Sequence, residues 1–230
     1  MLAVRDLAGY YGESHVLHGI DLTIGRHEVV TLIGRNGAGK TTTLRAIMGI
    51  LRKRTGSVRI KGVETIGLPS EKIARLGLGY VPEERGIFAS LNVTENLLLP
   101  PRLAEGGIAL DEIYALFPNL KERARSPGAR LSGGEQQMLA IARVLRTGAD
   151  FLLLDEPTEG LAPVIVAQIG EVLQTIKRRG LTILLVEQNF RFAAAVSDRH
   201  YVMESGKIID MVTRAEIEGK MQRLEQYLGI

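Results

Sequence analysis

Gly34-Arg35-Asn36-Gly37-Ala38-Gly39-Lys40-Thr41 is the stretch on which the fold turns. It fits the pattern G-x-x-x-x-G-K-[ST], with an apolar run, Val29 to Ile33, that reads as a strand before it and a helix expected after Lys40. Glycines let successive backbone N–H groups curl into an anion nest, and a helix opening near Lys40 adds the positive end of its dipole. Lys40 is expected to reach β- and γ-phosphates, and the Thr41 hydroxyl to ligate Mg²⁺. Gly34, Arg35, Asn36, Gly37, Ala38, Gly39 and Thr42 are the remaining residues expected around the nucleotide.

A second stretch, Phe151-Leu152-Leu153-Leu154-Asp155-Glu156, is a buried-strand pattern ending in two carboxylates, at the edge where parallel sheets bind ligands. Asp155 is expected to hold Mg²⁺ through water, and Glu156 to polarise the attacking water as general base.

Outward from these motifs, short apolar runs alternate with helical patterns, which argues for an α/β domain with a largely parallel sheet. Strands are expected at Val16 to Ile24, Val29 to Ile33, Ser57 to Ile60, Leu78 to Val81, Phe151 to Leu154, Thr182 to Val186 and Tyr201 to Met203. Helices are expected after Lys40, after Gly134, from Pro163 to Arg178 and from Ala215 to Tyr227. Many β-branched residues precede the first helix, so an antiparallel β subdomain is expected to lead the chain. The Pro- and Gly-punctuated stretch from about Pro82 to Gly134 reads as a mostly helical insertion. Residues 1–82 and 150–230 would form the nucleotide-binding core of one domain, and 83–149 a helical subdomain.

Composition narrows the chemistry. The 230 residues suit one domain, and the absence of cysteine excludes thiolate metal sites and a Cys nucleophile. The 26 glycines, against a usual ~7%, belong where backbone turns or meets a ligand. A net charge of +3 is no nucleic-acid footprint. The N-terminus lacks the build of a signal peptide, and no run approaches the ~18 apolar residues of a membrane span. The chain is therefore expected in the cytoplasm, reaching a membrane only through partners. His15, His18, His27 and His200 show no metal-ligand spacing. Arg52-Lys53-Arg54 reads as the solvated C-terminal end of the helix after Lys40. The helix from Ala215 is expected to pack on the core through Ile217, Met221, Leu224 and Leu228.

Leu131-Ser132-Gly133-Gly134-Glu135-Gln136-Gln137 makes a family nameable. It resembles the signature motif of ATP-binding cassette (ABC) ATPases and precedes Asp155 at the spacing that family uses. Physically, Ser132 and the Gly133 and Gly134 amides, followed by Glu135, open a second helix able to take a phosphate. One domain cannot use both helix termini on one nucleotide. The resemblance, which covers essentially the whole chain, implies a P-loop NTPase fold with a RecA-like, mostly parallel sheet, an antiparallel β subdomain and an inserted α-helical subdomain. It also implies ATP and Mg²⁺ as cofactors and a head-to-tail dimer with a second ABC ATPase subunit, or with a copy of itself when isolated. By the same resemblance Tyr11, rather than the competing Tyr10, stacks on adenine, and the loop Glu159-Gly160-Leu161-Ala162 crosses to the partner, although the family commonly has Ser-Ala-Leu-Asp there.

Two departures narrow the resemblance. Glu83 stands where the family commonly has the Gln that senses Mg²⁺, and Gln188 replaces the usual switch His. Gln188 can still donate a hydrogen bond to a γ-phosphate but cannot become a cation. Val-Pro-Glu-Glu-Arg, Thr-Glu-Gly-Leu-Ala-Pro and Leu-Val-Glu-Gln-Asn together resemble the ATPase subunits of branched-chain amino acid importers, with urea and amide importer subunits close. The tail Leu224 to Gly229 resembles that subfamily too. This implies two integral membrane permease subunits, an extracytoplasmic solute-binding protein, a place on the inner face of the cell membrane and no nucleic acid. The rivals are a soluble ABC ATPase not coupled to transport, a regulatory cassette without catalysis, and a small-molecule kinase, which would not need Leu131 to Glu135.

Overall fold

The computed structural model describes residues 1–104, 106–217, 219, 220, 224 and 227. Strands β1 (Leu2–Tyr11) and β2 (Ser14–Ile24) form a hairpin, and β3 (Val29–Ile33) runs into the phosphate loop and α1 (Lys40–Ile47). Then come β4 (Lys53–Ile60), β5 (Val63–Glu64), α2 (Ser70–Ala74) and β6 (Leu78–Val81). Helices α3 (Val93–Leu98), α4 (Leu110–Leu116), α5 (Pro118–Glu122) and α6 (Gly133–Leu145) fill the interval before β7 (Phe151–Asp155). The chain continues through α7 (Pro163–Arg178), β8 (Thr182–Glu187), α8 (Phe190–Val196), β9 (Arg199–Glu204) and β10 (Lys207–Thr213).

These strands make two sheets. One is antiparallel, in the order β2-β1-β4-β5. The other has the order β10-β9-β3-β8-β7-β6 and is parallel except for its edge strand β10. The apolar runs of β7 and β8 follow from burial on both faces. Phe151 and Leu153 pack with Leu184 and Val186 toward the antiparallel sheet and α1. Leu152 and Leu154 pack with Ile183 and Leu185 toward α6 and α7. Alternate residues thus feed two separate cores, and after Thr182 opens β8 the side chains of both strands are apolar until Asp155 and Glu187 end them.

Some expectations needed correction. The strand β1 went unread because its alternation is broken: Asp6 takes φ +47 and the register with both neighbours shifts between Val4 and Ala8, so the buried parity changes partway. The edge strand β10 went unread for a similar reason, with a register shift between Ile208 and Asp210 and only Val212 buried. Arg52-Lys53-Arg54 is not a helix end. The helix α1 stops at Ile47, Lys53 and Arg54 open β4, and the Arg54 guanidinium donates to the carbonyls of Leu51 (2.7 Å) and Leu68 (2.8 Å). These loop carbonyls, joined by Thr65 O at 3.4 Å, capture the cation that helix-end logic would leave in water. The C-terminal segment enters through a 3-10 turn at Arg214–Glu216. Ile217 and Leu224 are buried against Ile33, Phe190, Val202 and Val212. Met221, Glu225, Gln226, Leu228 and Gly229 lie outside the described residues.

Candidate functional site

The phosphate loop is shaped from beneath. Gly34 lies so close to β9 that a Cβ there would stand 2.3 Å from the Met203 carbonyl oxygen. The turn between β9 and β10 braces the loop further. The Gly206 N–H donates to Ala38 O (2.9 Å), and Gly206 O accepts from the His18 N–H of β2 (2.8 Å). Gly39, with φ +103, turns the chain into α1, a conformation that favours glycine. The first residue of that helix, Lys40, is 4% exposed. Its Nζ donates to Gly34 O (2.8 Å) and Arg35 O (3.2 Å) and lies 3.1 Å from a Glu156 carboxylate oxygen.

The carboxylates come from the end of β7. Asp155 is fully buried and accepts hydrogen bonds from the Thr41 hydroxyl (2.9 Å) and the Tyr80 hydroxyl (3.0 Å). Burial pushes its pKa up, the two hydroxyls pull it down, and the negative charges of Glu156 and Glu83 push it up again. Glu156 takes φ +44, a left-handed conformation uncommon for a residue with a side chain, which fits a functional position.

A polar pocket opens over these groups. Its walls include Asn36, Gly37, Gly39, Lys40, Thr41, Thr42, Glu83 and Glu156. Two further lining residues, Val16 and Glu159, were not read as site residues from the sequence. Burial, then the neighbouring charges of Glu156 and Glu83, raise the pKa of Glu159. Its fixed offset from Glu156 was a signal for it; Val16, an ordinary β-branched strand residue, carried none. Tyr80, which also holds Asp155, was missed for want of any pattern linking it to β7.

Other expected residues stand apart from this pocket. Tyr11 ends β1 at 45% exposure, in a hollow lined by Arg45, Ile50 and Lys53. Tyr10 lines the same hollow, its ring stacked on His15 with centroids 4.3 Å apart. Gln188 is exposed on the bend after β8 and does not line the pocket. Ser132, Gly133, Gly134 and Glu135 form the start of α6, away from the pocket walls. There the Ser132 side chain accepts from the Glu135 N–H and the Glu135 carboxylate accepts from the Ser132 N–H, a reciprocal capping box. Gly134 is pressed on Ile165, 2.8 Å from where a Cβ would sit.

Among the described residues, no helix is long and apolar enough to cross a membrane. Comparison with known proteins is decisive on family. The chain is 42% identical over 232 residues, with full coverage of both chains, to the high-affinity branched-chain amino acid transport ATP-binding protein BraG of Pseudomonas aeruginosa. It is 37% identical over 215 residues, 90% of each chain, to the probable branched-chain amino acid transport ATP-binding protein LivF of Archaeoglobus fulgidus. The dimeric structure of MJ0796, a bacterial ABC transporter cassette, superposes with TM-score 0.81 at 25% identity, covering 93% of this chain and 99% of that one. The family model for ABC transporters matches residues 17–159. That span holds the phosphate loop, Asp155, Glu156 and every pocket-lining residue but Val16, and it covers more than half of the sequence, so the chain belongs to the ABC transporter family.

Proposed function

We propose that this chain is the ATP-hydrolysing subunit of an ABC importer that takes up branched-chain amino acids or a related small polar solute. Its likeness to BraG and LivF, named as branched-chain amino acid transport ATP-binding proteins, supports the substrate class. The observation that carries the mechanism is the separation of two anion-ready helix starts. Lys40 and Thr41 open α1 inside the pocket, whereas Ser132 to Glu135 open α6 outside it. A nucleotide in the pocket meets the second helix start only when another cassette supplies it, head to tail; that the MJ0796 cassette of this fold is dimeric supports the pairing.

In this reading the γ-phosphate displaces Glu156 from Lys40, and the ammonium spreads the charge of the transferring phosphoryl group. Glu156, freed, takes a proton from the attacking water as its oxygen bonds to phosphorus and the β–γ bridging bond breaks, leaving ADP and inorganic phosphate. The donors near the γ-phosphate position suit Mg²⁺. Among the described residues no three His, Asp or Glu side chains converge as a metal cage. Mg²⁺ takes one or two carboxylates plus phosphate oxygens, which Asp155, the Thr41 hydroxyl and the nucleotide together offer. When bound it would neutralise developing charge on the phosphates. Glu83, in the pocket wall, is the proposed sensor of that ion, Gln188 a hydrogen-bond donor to the γ-phosphate, and Tyr11 the adenine platform.

ATP binding closes two cassettes; hydrolysis and release reopen them. Residues 83–149 would move against the core formed by 1–82 and 150–230, and press on two integral membrane subunits at the inner face of the cell membrane. An extracytoplasmic solute-binding protein would deliver the solute. A soluble ABC ATPase without transport is the competing reading. Co-purification decides: the chain should be retained by integral permease subunits expressed with it, and failure to associate with any permease would sink import. Glu156→Gln should form a dimer at saturating Mg-ATP; a strictly monomeric variant would contradict the shared site.

A further inference from the structure

Glu187, the last residue of β8, is a buried acid that the mechanism above does not use. It is 2% exposed. One carboxylate oxygen accepts from the Thr158 hydroxyl (2.7 Å) and the Thr158 N–H (3.3 Å), and the other from the Asn189 N–H (3.2 Å). Among the described residues no Lys, Arg or His pairs with it. A carboxyl taken out of water without a cation is costly. A joint required only for stability would be made more cheaply by apolar packing, so a buried acid here needs another reason.

The two segments it joins supply that reason. Thr158 lies two residues after Glu156 and one before Glu159, which lines the pocket. Asn189 follows Gln188, and its side chain caps α8 by accepting from the Phe192 N–H (3.1 Å). The backbone adds one more tie, from the Glu156 N–H to Val186 O (3.0 Å). The loop leaving Glu156 and the loop carrying Gln188 are therefore fastened to each other by side-chain bonds that all meet at one carboxyl group, beside that backbone bond.

We propose that Glu187 is a positioning residue for ATP hydrolysis: it locks the loop after Glu156 to the loop bearing Gln188, so that both approach the γ-phosphate as one body. This rests on the reading of the chain as an ATPase. A displacement of either loop, such as a second cassette pressing on residues 159–162, is then passed to the other. Losing the lock leaves the phosphate cradle intact, since neither Glu187 nor Thr158 lines it. It disturbs only the alignment of the groups around the attacking water, where small misplacements are expensive.

The test is steady-state turnover together with nucleotide affinity, on the full chain assembled as a Mg-ATP-competent dimer or transporter. Glu187→Leu and Thr158→Val should each lower kcat about ten- to hundred-fold, with the Kd for a fluorescent ATP analogue unchanged within about two-fold. The double variant should lose no more than either single one, because both break the same link. Thr158→Ser, which restores only the hydroxyl, should recover most of the rate; Glu187→Gln, with the same volume, keeps the comparison open if the leucine variant does not fold. Full turnover in Thr158→Val, or losses that multiply in the double variant, would overturn the proposal. If the wild-type assembly hydrolyses no ATP, the ATPase reading falls and takes this one with it; a working wild type beside unaffected variants removes the lock alone.

Discussion

Lys40 Nζ lies 3.1 Å from Glu156, both side chains nearly buried, so the cation that awaits a phosphate is held by the residue proposed to attack through water. Phosphate and carboxylate compete for one ammonium. Neutralising the carboxylate should therefore tighten nucleotide binding while removing the base. Glu156→Gln is expected to bind ATP several-fold more tightly and to lose about 10²–10⁴ in turnover. Calorimetric titration and a phosphate-release assay check both halves, and weaker ATP binding in the variant would contradict the competition.

The Tyr80 hydroxyl is one of two hydrogen-bond donors to Asp155 that oppose the upward push of burial on its pKa. Tyr80→Phe removes it and leaves the ring. Asp155 should then be harder to ionise in the absence of a cation, and the Mg²⁺ concentration for half-maximal turnover should rise several-fold, most steeply at mildly acidic pH. A Mg²⁺ titration superimposable on wild type would refute this.

Glu187 and His200 set opposing pH dependences of stability. Burial raises Glu187 from 4.5 to about 7 and lowers His200 from 6.5 to about 4. Stability from a raised acid is present below pH 4.5 and lost as pH rises through 7. Stability from a depressed histidine is present above pH 6.5 and lost as pH falls through 4. Between pH 4.5 and 6.5 the two slopes, each about 1.4 kcal/mol per pH unit, cancel. Glu187→Gln should expose the histidine's contribution, so that stability climbs by roughly 1–3 kcal/mol across that interval relative to wild type. Urea midpoints measured at several pH values decide it; parallel curves for the two proteins would exclude the pairing.

Gln188 sits exposed at the bend after β8, where the family's usual histidine can carry a charge and an amide cannot. Gln188→His should raise turnover several-fold in the assembled transporter, without tightening ATP binding. An unchanged or lower rate would show that the missing charge does not limit hydrolysis.

What the sequence made legible was local. The phosphate loop, with Lys40 and Thr41, and the paired acids Asp155 and Glu156 each lie in a contiguous pattern that needs one backbone geometry. The bond from Tyr80 to Asp155 spans 75 positions and that from Thr158 to Glu187 spans 29, and no periodicity links such partners. The same limit hid β1, where a bulge at Asp6 breaks the alternation that marks a strand, and put Arg54 on the wrong element. Long apolar strands advertised themselves because two cores need them; polar clasps between loops do not repeat and so leave no trace.

The turn at Gly206 has a consequence for how this protein is made. Its amide and carbonyl fasten the phosphate loop at Ala38 to β2 at His18, three segments brought together only once most of the chain exists. During synthesis the glycine loop leaves the ribosome long before its brace does. Until Gly206 is made, a nascent chain lacks these two bonds that brace the loop. Non-local closure of this kind slows folding.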